Sequence, residues 1–194
     1  KNKFPIFEKN PELIYLDTAA SAQKPKVVID SINNCYSNEY ANIHRGVYKL
    51  STDITDKFEN VRSKTSKYIN AESPDNIIFT KSATEAINLV ASCFSEKFLS
   101  NGDEVILSYL EHHANIVPWQ IEAEKRGFKI VVVNINKDGE LDYDDFIKKV
   151  NSKTKFISIT HMSNVVGTTV DIQLINDQAK KFDIPFLIDG CQYV

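Results

Sequence analysis

The chain has 194 residues, with 23 basic and 26 acidic side chains and a net charge of −3. Apolar residues make up 42% and charged residues 25%. That balance suits a soluble globular protein and excludes disordered, collagen-like and coiled-coil chains. The longest aliphatic run, residues 130–133, is far short of the ~20 residues a membrane helix needs. A mildly acidic total gives nucleic acid no electrostatic foothold, so neither membrane nor nucleic acid is an expected partner. Lys1-Asn2-Lys3-Phe4-Pro5 has no apolar core, so no signal peptide is expected. Cys35, Cys93 and Cys191 form no CxxC pair, which points away from zinc knuckles and disulfide frameworks and towards a reducing, cytoplasmic setting.

In chain order, Leu13–Leu16 is an isolated extended run. Helical patterns follow over Val27–Tyr40 and Thr52–Ile69, the second with a stripe of Ile54, Phe58, Val61, Thr65 and Tyr68. Asn76–Thr80 is β-rich and predicts a buried strand. A helix follows, opened by the capping box Ser82-Ala-Thr-Glu85 and presenting Ala86, Leu89, Val90, Cys93 and Phe94. Then strands and helices alternate. A strand over Glu104–Ser108 precedes a helix using Ile116, Trp119 and Ala123. A strand over Phe128–Asn134 precedes a short helix using Phe146, Ile147 and Val150. A strand over Lys155–Thr160 precedes a helix using Ile172, Ile175, Ala179 and Phe182, and Pro185–Asp189 is the last strand. The alternation predicts an α/β domain, a mostly parallel sheet flanked by helices, over residues 76–194. Residues 1–75 read as an N-terminal helical arm.

In open parallel sheets ligands bind at the carboxyl ends of the strands, and unusual polar residues gather there. Ser82, Ala83 and Thr84 follow the first predicted strand; they suit either a helix cap or an anion held by free N–H groups. No GxxxxGK[ST] or GxGxxG accompanies them. Asp189 closes an apolar strand, either as a local cap or as the counter-ion of a buried cation. His112 and His113 are adjacent, so one could act while the other packs. A metal reading would combine one of them with His161 and Asp189, without any HExxH spacing to support it. His44-Arg45-Gly46 lies between the two N-terminal helices, as a solvated loop or an anion-binding one.

Six stretches then fall into a recognisable order: Tyr15-Leu-Asp-Thr-Ala-Ala-Ser21, Ala41-Asn-Ile-His-Arg-Gly46, Thr80-Lys-Ser-Ala-Thr-Glu-Ala-Ile-Asn88, Leu110-Glu-His-His-Ala-Asn-Ile-Val-Pro-Trp-Gln120, Ile159-Thr-His-Met-Ser-Asn-Val165 and Leu187-Ile-Asp-Gly-Cys-Gln192. The chain resembles the group II cysteine desulfurases that serve SUF iron–sulfur cluster assembly. These are pyridoxal-phosphate (PLP) enzymes of fold type I within the class V aminotransferase group. Cys191 stands where alanine is usual. The resemblance implies the large domain of a PLP-dependent transferase. It assigns Asp189 to the pyridine nitrogen, Gln192 and Asn164 to the phenolic oxygen, and Ala83 and Thr84 to the phosphate. His112 would stack on the ring and relay a proton. Ala19, Ala20, His44 and Arg45 would line the substrate entrance, with Asn164 also near the substrate carboxylate.

The implied reaction turns L-cysteine into L-alanine and leaves the sulfur as an enzyme persulfide, passed on to a SufE- or SufU-type acceptor protein by a homodimeric enzyme. The resemblance puts the Schiff-base lysine in a Ser-Gly-His-Lys motif beyond Asp189, and the nucleophilic cysteine and a carboxylate-gripping arginine further on. The sequence to Val194 holds none of them, and Cys35, Cys93 and Cys191 match no such position. The expectation is therefore an N-terminal half with an incomplete sheet, from a fragment, a split gene or a decayed frame. An inert half-domain, and a selenocysteine lyase or β-eliminase of the same fold, are the alternatives.

Overall fold

The computed structural model describes residues 2–193 and divides into two compact units, Lys1–Ile78 and Phe79–Val194. The first unit is helical. A short helix α1 (Ile6–Lys9) precedes α2 (Lys26–Asn34), which widens into a π-turn over Cys35–Glu39. The long α3 (Lys49–Tyr68) follows. Its partly buried side carries Ile54, Thr55, Phe58 and Arg62 between the buried Ser51 and Ser66, whereas Val61 and Tyr68 of the predicted stripe are exposed. Gly46 comes so close to α3 that a Cβ there would sit 2.3 Å from Ser51 Oγ, so only glycine fits.

The predicted strand at Asn76–Thr80 is not part of the sheet. Pro74–Asn76 is a 3-10 turn. Ile77 is extended (φ −92°, ψ 117°), but the carbonyl of Ile77 accepts from Arg62 Nη1 rather than from a neighbouring strand. Local propensity gave the right backbone region, but a strand also requires a ladder partner.

The second unit is a parallel sheet flanked by helices. Helix α4 (Ala83–Phe98) leads into β1 (Glu104–Ser108), α5 (Val117–Arg126), β2 (Lys129–Val133), α6 (Tyr143–Lys149), β3 (Thr154–Thr160), α7 (Ile172–Lys181) and β4 (Phe186–Asp189). The strand order is β2-β1-β3-β4, and every pairing is parallel. Side chains alternate across the strands. Val105, Leu107 and Phe156 join Ala91, Trp119 and Phe128 in one core cluster. Ile106, Ile157 and Ile159 join Phe146, Ile175 and Ala179 in the other. One layer of helices, α4 and α5, thus covers one face, and α6 and α7 cover the other.

The buried face of α4 is rotated from the predicted one. Ile87, Ala91 and Ser95 are buried, while Leu89 and Cys93 are exposed. Phe94, from the predicted face, is partly buried and meets Phe156 with ring centroids 4.4 Å apart. Asp142 and Asp171 cap α6 and α7, accepting from the backbone N–H of Asp145 and Leu174.

Candidate functional site

The chain winds outward from β1 to β2 and then crosses to β3 on the other side of β1. The reversal between β1 and β3 is the topological switch point at which open α/β sheets form a crevice. A cleft of about 530 Å³, open to solvent, lies there. It is lined by Ala83 and Thr84 from the start of α4, His112 and Ala114 after β1, Thr160, Met162 and Asn164 around the end of β3, and Asp189, Cys191 and Gln192 after β4. All six residues assigned to a cofactor from the sequence therefore line one cleft: Ala83, Thr84, His112, Asn164, Asp189 and Gln192.

Local sequence explains each placement. Ser82 caps α4 by accepting from Glu85 N–H at 3.2 Å. Glu85 reaches back to Lys81 N–H at 2.6 Å, one residue earlier than a standard capping box. These bonds leave the backbone N–H groups of Ala83 and Thr84 without a hydrogen-bond partner among the described residues. The start of the helix is thus capped while two of its N–H groups stay free.

His112 is half-buried while His113 is exposed, their rings 4.0 Å apart. His112 Nδ1 accepts from Ala114 N–H at 3.1 Å, so in the neutral ring the proton sits on Nε2. Asn164 is carried by a tight loop in which Ser163 Oγ accepts from the N–H groups of Val165 and Val166. Asp189 is the register partner of Thr160. It accepts from Cys191 N–H at 3.0 Å, and among the described residues no ion pair engages it. Partial burial of the thiol, its hydrogen bond to Asp189 and that carboxylate's charge push Cys191 up to about 11, which keeps it a protonated, poorly nucleophilic thiol.

Behind the cleft lies a polar network that the sequence reading missed. Glu111 is 8% exposed. It accepts from Ser108 Oγ at 2.5 Å, Asn115 Nδ2 at 2.7 Å and Thr160 N–H at 3.0 Å. Burial raises its carboxyl to about 7 against the pull of these donors, and the charge of Asp189 adds to the rise. Asn115 Oδ1 accepts in turn from Trp119 Nε1 and Ser158 Oγ. The available signal was the need of a buried indole N–H for an acceptor, with Asn115 one turn before Trp119.

The four predicted entrance residues belong to the first unit. Ala19 and Ala20 are exposed in a turn whose ends are tied by Tyr15 Oη donating to Ser21 O. His44 has a left-handed backbone (φ 67°), costly for a non-glycine residue. It is held by Thr55 Oγ1, which accepts from its N–H, by Glu59 at 3.3 Å and by the edge of Phe58. Arg45 is exposed. No group of three His, Cys, Asp or Glu side chains able to hold a metal ion occurs among the described residues, and none of their helices is long and apolar enough to cross a membrane.

Comparison with known proteins places this geometry in a family. Residues 14–194 match the aminotransferase class-V family model. A cysteine desulfurase of Serratia proteamaculans (strain 568) is 44% identical over 197 residues, covering 100% of this chain and 48% of that protein. PbSufS of Plasmodium berghei (strain Anka) is 43% identical, over 99% of this chain and 37% of its own length. The crystal structure of the cysteine desulfurase CsdA from Escherichia coli superposes with a TM-score of 0.88 at 32% identity, over 98% of this chain and 47% of that one. The chain thus spans about half the length, or less, of these relatives. With the family model matching nearly the whole sequence and a crevice where its motifs converge, the chain belongs to the aminotransferase class-V family.

Proposed function

We propose that the cleft is the PLP site of a cysteine desulfurase of the SUF type, and that this chain forms its N-terminal half. The observation that supports the reading is the polarity of the cleft. Among the described residues its lining combines a carboxylate, Asp189, that no ion pair engages, with the unpartnered backbone N–H groups of Ala83 and Thr84, and includes no lysine or arginine. A ligand that carries both a cationic ring nitrogen and a phosphate satisfies the carboxylate and the free N–H groups together. PLP has that charge arrangement, so the residues present fit it.

When bound, PLP supplies an electron-withdrawing ring for carbanion chemistry. The protein's own tasks follow from the side chains. Asp189 holds the proton on the ring nitrogen, in a charge-assisted bond. Ala83 and Thr84 take the phosphate with backbone N–H groups, Thr84 adding a hydroxyl. His112 covers one ring face and offers its Nε2 proton towards the substrate. Gln192 and Asn164 hydrogen-bond the phenolic oxygen, and Asn164 also approaches the substrate carboxylate. Ala19, Ala20, His44 and Arg45 line the substrate entrance, and residues 1–75 and 76–194 act as arm and PLP-binding domain. The substrate is L-cysteine, the product L-alanine, and the sulfur leaves as a persulfide for a SufE- or SufU-type acceptor. A cytoplasmic homodimer is the working form. The resemblance of the Leu110–Gln120 stretch to group II enzymes and the similarity to PbSufS support the SUF assignment.

The test is a PLP titration of the protein beside one with pyridoxal, which lacks the phosphate. PLP should bind and pyridoxal should bind weakly. Asp189→Ala should lower PLP affinity at least tenfold, about 1.5–3 kcal/mol for a hydrogen bond to a charged group. Equal affinity in the variant would remove Asp189 from the site. With PLP, L-cysteine and a reductant, the whole enzyme should form alanine above a PLP-only control; none would overturn the desulfurase reading.

A further inference from the structure

We propose that Glu111 is a positioning residue: from behind the cleft, its carboxylate bridges the carboxyl ends of β1 and β3 and fixes His112 and Thr160, and through Thr160 its register partner Asp189, on the two sides of the crevice. The ladder between β1 and β3 pairs Glu104 with Thr154, Val105 with Phe156 and Ile106 with Ile157. Beyond it both strands run on, β1 to Ser108 and β3 to Thr160. Over this stretch side chains replace the ladder. Glu111 Oε1 takes the Thr160 N–H, and Asn115 Oδ1 takes the Ser158 hydroxyl.

With Glu111 ionised, the direction of every bond in this network is determined. The Trp119 indole can only donate, so it fixes Asn115 Oδ1 as the acceptor at 3.2 Å and leaves Asn115 Nδ2 to donate to Glu111 Oε2 at 2.7 Å. The Thr160 N–H also can only donate. Ser108 Oγ accepts from Leu110 N–H at 3.1 Å and spends its own proton on Glu111 Oε1. Ser108 Oγ, Asn115 Nδ2 and the Thr160 N–H therefore converge on one carboxylate, and every member is buried: Ser108, Glu111, Asn115, Trp119, Ser158 and Thr160. Such a network is either fully satisfied or costly, so it holds one geometry. Glu111 immediately precedes His112, and Thr160 pairs with Asp189 across β3 and β4. A single side chain thus sets both walls of the cleft.

The consequence for ligand affinity rests on the PLP reading above; the consequence for the protein's own structure does not. Amide hydrogen exchange on the cofactor-free protein separates the two. In Glu111→Ala, the amides of Thr160, Ala114 and Asn115 should exchange at least about tenfold faster, the loss of a hydrogen bond or more. The β1–β2 ladder should stay protected and so report that the variant is folded. Glu111→Gln keeps an oxygen for Thr160 but turns an NH₂ towards Asn115 Nδ2. It should restore protection at Thr160 and leave Ala114 and Asn115 fast. Unchanged exchange at Thr160 in the alanine variant, or loss spread evenly over the sheet in both variants, overturns the proposal. PLP affinity, followed through the fluorescence of Trp119, the one tryptophan in the sequence, should fall about tenfold in Glu111→Ala and recover in part in Glu111→Gln. If the unaltered protein binds no PLP, the cofactor reading fails, and the exchange data still decide the role of Glu111.

Discussion

The two compact units bury their side chains to very different extents. Up to Ile78, Ser51, Ser66 and Ile77 are the buried residues among those described. Helix α2 leaves Val27, Ile29, Ile32 and, in the π-turn, Tyr36 exposed, at 70%, 44%, 55% and 71%. From Phe79 on, two clusters enclose the sheet, and Ile106, Trp119, Phe146, Ile157 and Ile175 are fully buried. Both regions show apolar periodicity in the sequence. What separates them is a covering layer: a stripe says which face of an element is apolar, and only the sheet between its helices supplies a surface to cover that face. Single truncations should expose the contrast. Phe146→Ala should cost about 3–5 kcal/mol, from lost transfer energy and a cavity. Ile32→Ala should stay within about 0.5 kcal/mol, as for other exposed sites. Urea unfolding of the two variants measures both. A large loss for Ile32→Ala would mean that the face of α2 is covered in solution and would break the comparison.

The units also respond differently to pH. In the second, Glu111 has a folded value of about 7, raised from 4.5 chiefly by burial. Between those values the folded state binds more protons than the unfolded one. Stability therefore falls as pH rises from about 4.5 to 7 and levels off above, by on the order of 3 kcal/mol. In the first unit, the half-buried Glu39 is held below its ordinary value by a hydrogen bond from Lys57. Its contribution has the opposite slope, present above the ordinary carboxylate range and lost on acidification. Stability measured from pH 4.5 to 8 should lose the Glu111 slope in Glu111→Gln and keep it in Lys57→Met. A wild-type slope in Glu111→Gln would place its origin elsewhere.

Legibility in the sequence follows the same divide. Strands β1, β2 and β3 were readable to within a residue or so because each is an apolar run closed by turn chemistry, as at Gly127, whose left-handed backbone (φ 79°) ends α5. Both edge strands, β2 and β4, were readable as well, but membership of the sheet at Asn76–Thr80 was not. The strand predicted at Asn76–Thr80 depended on a partner that no local pattern reports. At the site, residues at strand ends were readable because topology places them together: Thr84, His112 and Asp189 are far apart in sequence and line one cleft. The network around Glu111 was not, because burial made it. Ser108, Ser158 and Thr160 look like ordinary strand residues until both faces of the sheet are covered and their hydroxyl and amide groups must find partners within the protein.

The smallest predicted effect concerns a hydroxyl that does not find one. In the first unit, helical hydroxyls turn back to the carbonyl one turn earlier: Ser31 to Val27 O at 2.7 Å, Thr55 to Ser51 O at 2.6 Å and Thr65 to Val61 O at 2.9 Å. Ser95 in α4 is fully buried, yet its Oγ has no hydrogen-bond partner among the described residues. It lies in line with Ile87 and Ala91 on the covered face of α4. An unsatisfied buried hydroxyl costs about 1–3 kcal/mol, and alanine is also the better helix former. Ser95→Ala should therefore stabilise the protein by about 1 kcal/mol and raise Tm by roughly 2–4 °C. Thr65→Ala, which removes a satisfied and partly exposed hydroxyl, should change Tm by less. A Tm drop in Ser95→Ala would show that the hydroxyl is bonded to the Ala91 carbonyl in solution. The two units would then treat their helical hydroxyls alike, and the contrast between them would be confined to the apolar core.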